Sequence, residues 1–338
     1  MSESSRSLLP NPGTAALVTA SALVWLYWPT WADLAHRWLA DDSTYSHGFL
    51  IAAIVIVLLF VTKPAAGARP GKRWPIVALL LGSSVVWALG RLANIMVIQA
   101  VMLPVMLFLA LSLVVVSVNR RNWLFPCAFL MFAVPVWDYL NPALLAMTVA
   151  VTGSTLRILQ IPAVVDESFV HFDSGSFEIA AGCSGLHFFI VGLAIAALYA
   201  FLYLRRTKYR VILLAVAVGL AVAMNWLRVT TIIIAGHLSD MQHYLVTVDH
   251  YMYGWVLFLI MLVPFYFTAR HLEVRDLKAA SGPASTAPAP SRRSGRTTVR
   301  LDGFAWLAVV PLLVLAQEQF GSGNQGSQFA LPAELGEW

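Results

Sequence analysis

Apolar runs that follow one another almost without pause constrain this 338-residue chain more than any other feature. A run of about 17–25 apolar residues can cross a bilayer as a helix, because only a helix satisfies its own backbone hydrogen bonds in hydrocarbon. Nine such segments are readable, at about 14–31, 48–62, 75–90, 92–118, 122–136, 184–204, 211–236, 250–269 and 303–318. Those at 48–62 and 122–136 are short, and Pro104 can kink or split 92–118. With 59% hydrophobic and only 12% charged residues, against about 25% charged in soluble domains, the expected fold is an all-α polytopic membrane protein. About 8–9 transmembrane helices are expected, with no internal repeat.

The basic residues orient the spans. With the N-terminus inside and the spans alternating, every lysine and arginine except Arg37, Arg91, Arg157 and Arg228 falls on one side. Cytoplasmic loops retain positive charge in this way. The net charge of +5 therefore marks the inner face, and no nucleic-acid partner is expected. The N-terminus "MSESSRSLLPNPG" leads into a run without a small-residue cleavage site, so a retained first span is expected and not a removable signal. The resulting organisation is a cytoplasmic N-terminus over 1–13 and a membrane domain over 14–270. A flexible basic cytoplasmic linker follows over 271–302, its stretch 281–298 rich in Pro, Ala and Ser, and then a last span and short outer tail over 303–338.

The longest outer excursion is 138–180. Its first half, 141–160, has helical periodicity and could lie along the interface. Its second half, "SFVHFDSGSFEIA", alternates around a turn and predicts a β-hairpin ending directly before Cys183.

Three residues of chemical interest meet the outer leaflet. Cys183, in "AAGCSGLHFF", lies where a helix begins, flanked by Gly182 and Gly185. Unpaired amides there favour a thiolate and a developing anion. Cys127, in an apolar stretch, reads as packing. Arg228 lies inside a span, where a charge costs on the order of 2.5–3.5 kcal/mol; it either snorkels or faces a cavity, with Asn225 one turn earlier on the same face. His250 opens a span, with Gly254 one turn later for close packing, although His47, His237 and His243 face the same side. Thiol, imidazole and guanidinium together suit acyl transfer through a thioester. Two other chemistries stay open on these residues. One is a zinc-dependent hydrolase using His237, Asp240, His243, Asp249 and His250. The other is a transporter or lipid-handling protein with Arg228 as its binding charge.

"AAGCSGLHFF" resembles the A-C-S-G-[LI] segment of the exosortases and archaeosortases, polytopic cysteine transpeptidases. "NWLRV" from Asn225 is similar to their N-x-x-R segment, and "HYMYGW" from His250 to their H-x-x-x-G. "DDSTYSHGFLI" at 41–51 and "FLMFAVPVWDYL" at 129–140 resemble two further family segments, so the likeness covers about 41–270 in order. Gly182 stands where many members have alanine.

The resemblance implies Cys183 as nucleophile, Arg228 as transition-state stabiliser and His250 as general base. Ser184, Asn225 and Gly254 would support them. Histidine at the third position points to the bacterial branch, since archaeosortases carry arginine there. The implied activity is cleavage of exported proteins behind a C-terminal signal of Pro-Glu-Pro, apolar helix and basic end, at the outer face of a bacterial inner membrane. No cofactor or metal is implied. The expected partners are that signal segment and membrane lipids, a lipid amine being one candidate acceptor beside water or a glycan.

Overall fold

Proline, glycine and the apolar runs between them set the element boundaries. The structure, a computed structural model, describes residues 12–40, 43–61, 72–115, 121–173, 175–244, 250–280 and 302–321. Helices α1 (Pro12–Leu26), α2 (Trp28–Leu39), α3 (Gly48–Val61), α4 (Trp74–Leu92) and α5 (Met96–Val114) precede α6 (Arg121–Phe129) and two 3₁₀ turns, Leu130–Ala133 and Pro135–Leu140. Then come α7 (Asn141–Ile158), strands β1 (Val164–Asp166), β2 (Phe169–Phe172) and β3 (Gly175–Glu178), and a 3₁₀ turn over Ala181–Cys183. The chain continues through α8 (Leu186–Tyr203), α9 (Thr207–Leu238), α10 (His250–Ala280) and α11 (Asp302–Gly321). Pro75 and Pro142 stand in the first turns of α4 and α7, where the missing N–H costs nothing.

Among the described residues five helices are long and apolar enough to cross a membrane: α4, α5, α8, α9 and α10. A sixth span is possible if 122–133 and 135–158, bent by 61°, count as one. The count of eight to nine expected from hydropathy is larger because α1 and α3 hold only 15 and 14 helical residues. At 1.5 Å per residue these reach roughly 22 Å, short of a hydrocarbon core of about 30 Å. Residues 92–118 lose their first residues to a turn at Ala93–Asn94, and the helix then continues through Pro104 to Val114. Helix α10 runs on to Ala280, into the stretch read as linker, and 281–301 lie outside the described residues.

The chain divides into two compact units. The first comprises 1–34, 56–127 and 292–338. Its helices α4 and α5 approach closely because Gly90 has no side chain; a Cβ there would come within 2.9 Å of Ile98. A buried polar chain runs through it: Trp87 Nε1 donates to Thr30 Oγ1 (2.9 Å), Thr30 to Gln99 Oε1 (3.0 Å), and Gln99 Nε2 to the Gly90 carbonyl (3.3 Å). Such groups inside an apolar bundle persist because each has a partner.

The second unit comprises 35–55 and 128–291. Helices α8, α9 and α10 pack on small residues, with Ala196, Ala200, Ala217 and Ala269 in one cluster with Leu213, Phe265 and Leu272. At the far end of this bundle the buried Asp276 carboxylate accepts from the Arg205 and Arg206 amides and fixes the α8–α9 turn. At the other end lies a three-stranded antiparallel sheet in the order β1-β2-β3, one strand more than the hairpin expected. Val164 pairs with His171, and Val170 with Phe177. The sheet lies against α7, where Gly153 leaves room for Val165, and against α9, where Gly236 leaves room for the Phe177 ring.

Candidate active site

The sheet delivers the chain to Cys183. Val170, Phe172 and Ile179 form one buried cluster with Leu156 of α7 and Val229 and Ile233 of α9, and half-buried Cys183 packs onto it. The thiol residue closes a 3₁₀ turn, two positions before the α8 N-cap at Gly185, and is not itself in the helix. Gly185 adopts a left-handed φ of 89°, a conformation L side chains rarely take. A Cβ there would also lie 2.6 Å from Asn225 Cγ. Gly182 has open space around it, so of the two flanking glycines only Gly185 is demanded by packing.

Asn225, 1% exposed, ties the turn down. Its Nδ2 donates to the Cys183 carbonyl (2.9 Å) and to Thr148 Oγ1 (3.3 Å). Thr148 also donates to the Ser184 carbonyl (3.5 Å), so α7, α9 and the turn meet at one polar knot. Buried Ser184 accepts from the Leu186 amide (3.3 Å) and so covers an orphan donor at the start of α8.

Arg228 stands three residues beyond Asn225 and next to Val229, which is in the Cys183 cluster. Its side chain lies against the first turns of α10: a Cβ on Gly254 would be 3.3 Å from Nε and 3.6 Å from Cζ. Gly254 therefore makes room for the guanidinium. His250 opens α10 one turn before Gly254, and its side chain lies outside the described residues. The structure thus ties the Cys183 turn to Asn225 of α9 and sets Arg228 of α9 against Gly254 of α10, and it says nothing of the His250 imidazole.

The segments 43–48 and 130–140 gather beside the start of α8. Asp138 accepts from Arg37 Nη1 (2.8 Å) and from the Tyr45 hydroxyl (2.8 Å), while Trp38 Nε1 donates to the Ala133 carbonyl (2.9 Å). Burial, and then the Asp138 carboxylate, push the Tyr45 phenol above its ordinary range. His47 Nε2 bonds the Phe132 carbonyl (3.0 Å), and its ring faces that of His187 at 5.8 Å. Burial lowers the His47 pKa, partly offset by that carbonyl. His187 went unassigned in the sequence reading. It lies four residues after Cys183, within electrostatic reach of Arg228.

Among the described residues no group of three His, Cys, Asp or Glu side chains converges to hold a metal ion. Of the proposed zinc group, His237 stacks on Phe172 at 4.7 Å, and Asp249 lies outside the described residues. Cys127 is buried, as packing requires.

Residues 31–267 match the family model for transmembrane exosortases. The chain belongs to that family. The match includes Cys183, Asn225, Arg228 and His250 and leaves out α1 and α11. No curated protein and no solved structure matches the chain. Exosortase membership and the apolar helices together make this a multi-pass membrane protein.

Proposed function

We propose that this exosortase is a membrane cysteine protease or transpeptidase that cleaves C-terminal signals of exported proteins at the outer face of the inner membrane. The Cys183 thiolate attacks the scissile carbonyl carbon, forming a C–S bond and pushing an electron pair onto the oxygen. The Arg228 guanidinium carries that oxyanion, a service worth about 10²–10³ in rate where one such donor has been removed. His250 takes the thiol proton and passes it to the leaving amine as the C–N bond breaks. The thioester then passes to water, a lipid amine or a glycan. One observation carries the reading: the Asn225 bond to the Cys183 carbonyl fixes the thiol residue beside the turn of α9 whose Arg228 lies against Gly254, one turn past His250.

The experiment is co-expression with a tagged exported protein ending in Pro-Glu-Pro, an apolar helix and a basic cluster. Cys183→Ala is expected to abolish processing; equal processing by variant and wild type rules the nucleophile out. Arg228→Ala is expected to cost at least a hundredfold, and intact turnover would return that residue to snorkelling. Chelators are expected to leave the rate unchanged, and loss of activity would favour the zinc chemistry.

A further inference from the structure

Among the described residues no strand pairs with the second edge of β3, and that strand leads toward Cys183. In an antiparallel ladder alternate residues turn their N–H and C=O toward the partner strand, and the others turn theirs away. The Ile179 amide donates to the Ser168 carbonyl (2.8 Å), in register with the Phe169–Glu178 and Val170–Phe177 pairs. Ile179, Phe177 and Gly175 therefore spend their backbone groups on β2. Ser176 and Glu178 turn theirs outward, two residues apart, and both residues are exposed. No backbone hydrogen bond reaches that side among the described residues. By the same alternation three-residue β1 offers outward only the groups of Val165.

We propose that the free edge of β3 binds the extended segment of the substrate that approaches Cys183, as a fourth strand of the sheet. This rests on the reading of Cys183 as nucleophile. Three observations select that occupant. A peptide bond offered to a thiolate lies in extended chain, and an extended chain pairs with an open strand edge through its main chain. The edge is five residues from Cys183 along the chain, so Glu178 lies within about 17 Å of Cys183 even if the connection were fully stretched. The sheet is also held rigidly, with Phe177 seated at Gly236 and Phe172 stacked on His237, so the edge is preformed. Main-chain pairing supplies affinity without reading side chains, which suits an enzyme whose substrates share only a terminal signal.

Proline tests this directly, because it deletes an outward N–H while leaving the β2 ladder intact. With full-length protein in detergent and the tagged signal-bearing protein as probe, Ser176→Pro and Glu178→Pro are each expected to raise KM about tenfold, the scale of one to two lost hydrogen bonds. The kcat should stay within twofold, and Cys183 alkylation and thermal midpoint should match wild type. Wild-type KM in both variants overturns the proposal. A benzophenone amino acid installed at Ser176 in a Cys183→Ala background gives a second, chemistry-independent readout. It is expected to cross-link to the uncleaved probe; absence of that product, or cross-linking to a second copy of this chain instead, overturns the edge as a substrate site. If Cys183→Ala processes the probe like wild type, the nucleophile reading fails, while the cross-link still decides the edge.

Discussion

At Asn225 a single carboxamide holds the main chain of the proposed nucleophile. Asn225→Ala deletes the donor to the Cys183 carbonyl and to Thr148 Oγ1 at a side chain that is itself buried. A lost neutral hydrogen bond is worth about 0.5–1.5 kcal/mol, and an orphaned buried carbonyl costs up to about 3. The expected outcome is a thermal midpoint lowered by a few degrees and processing reduced at least tenfold, read by immunoblot of the tagged substrate. Gly254→Val tests the neighbouring contact differently. Its Cβ would stand 3.3 Å from Arg228 Nε, so the guanidinium must shift. The expected result is a kcat reduced tenfold or more with iodoacetamide alkylation of Cys183 unchanged; equal losses in both would show general misfolding. The residues of this site were legible because their types are rare in apolar runs: a thiol beside two glycines at the mouth of one, and an arginine well inside another. Their partners were not. Spacing put Asn225 and Arg228 on one face of α9, but only tertiary packing decides that one meets the Cys183 carbonyl and the other Gly254. His187 gave no signal, since a histidine in the first turn of an apolar helix is ordinary until His47 is seen across from it.

The elements that carry the site are short, and two contacts hold them. The Phe177 ring occupies the space a side chain would take at Gly236, joining β3 to the last turn of α9. Gly236→Ala would drive a methyl group into that ring. Overpacking of this kind costs about 1–3 kcal/mol, so a lower thermal midpoint and slower processing are expected, and Phe177→Ala in the same chain should recover part of the loss. A cycle of the four proteins that gives simple additivity would show that the two residues do not interact. The second contact is the turn 43–48, whose His47 is held neutral by burial. A histidine with a lowered folded pKa contributes stability above its unfolded value of about 6.5, and loses it as pH falls toward the folded value. Wild-type thermal midpoint is therefore expected to drop between pH 7 and pH 5 more steeply than that of His47→Gln; parallel curves would remove His47 from the account. Hydropathy found the helices that hold these contacts, because 211–236 falls within α9 and 184–204 overlaps α8 in all but its first two residues and its last. It missed β1 because Val164, Val165 and Asp166 are all exposed, which leaves no alternation to read.

Across the whole chain the chemistry and the charge sit at opposite ends of the same helices. Helix α8 begins three residues after Cys183 and ends at Tyr203, two residues before Arg205. Its 18 residues span roughly 27 Å at 1.5 Å per residue, close to the hydrocarbon thickness of a bilayer. Helix α9 repeats the measure, since Arg210 and Arg228 lie 18 positions apart on it. Arg205, Arg206, Lys208 and Arg210 crowd the turn that Asp276 fixes, and a charge cluster of that sign is retained on the cytoplasmic side. The proposed orientation puts the basic turn in the cytoplasm and Cys183 outward, where an exported substrate would present its signal. A membrane-impermeant maleimide applied to intact spheroplasts is expected to label wild-type protein and not Cys183→Ala, because Cys127 is buried at 2% exposure. In a Cys183→Ala background, Arg206→Cys should take the label only after the membrane is opened. The reverse pattern, labelling at 206 from outside and at 183 only after lysis, would turn the molecule over and leave the proposed nucleophile facing a compartment that its substrates have already left.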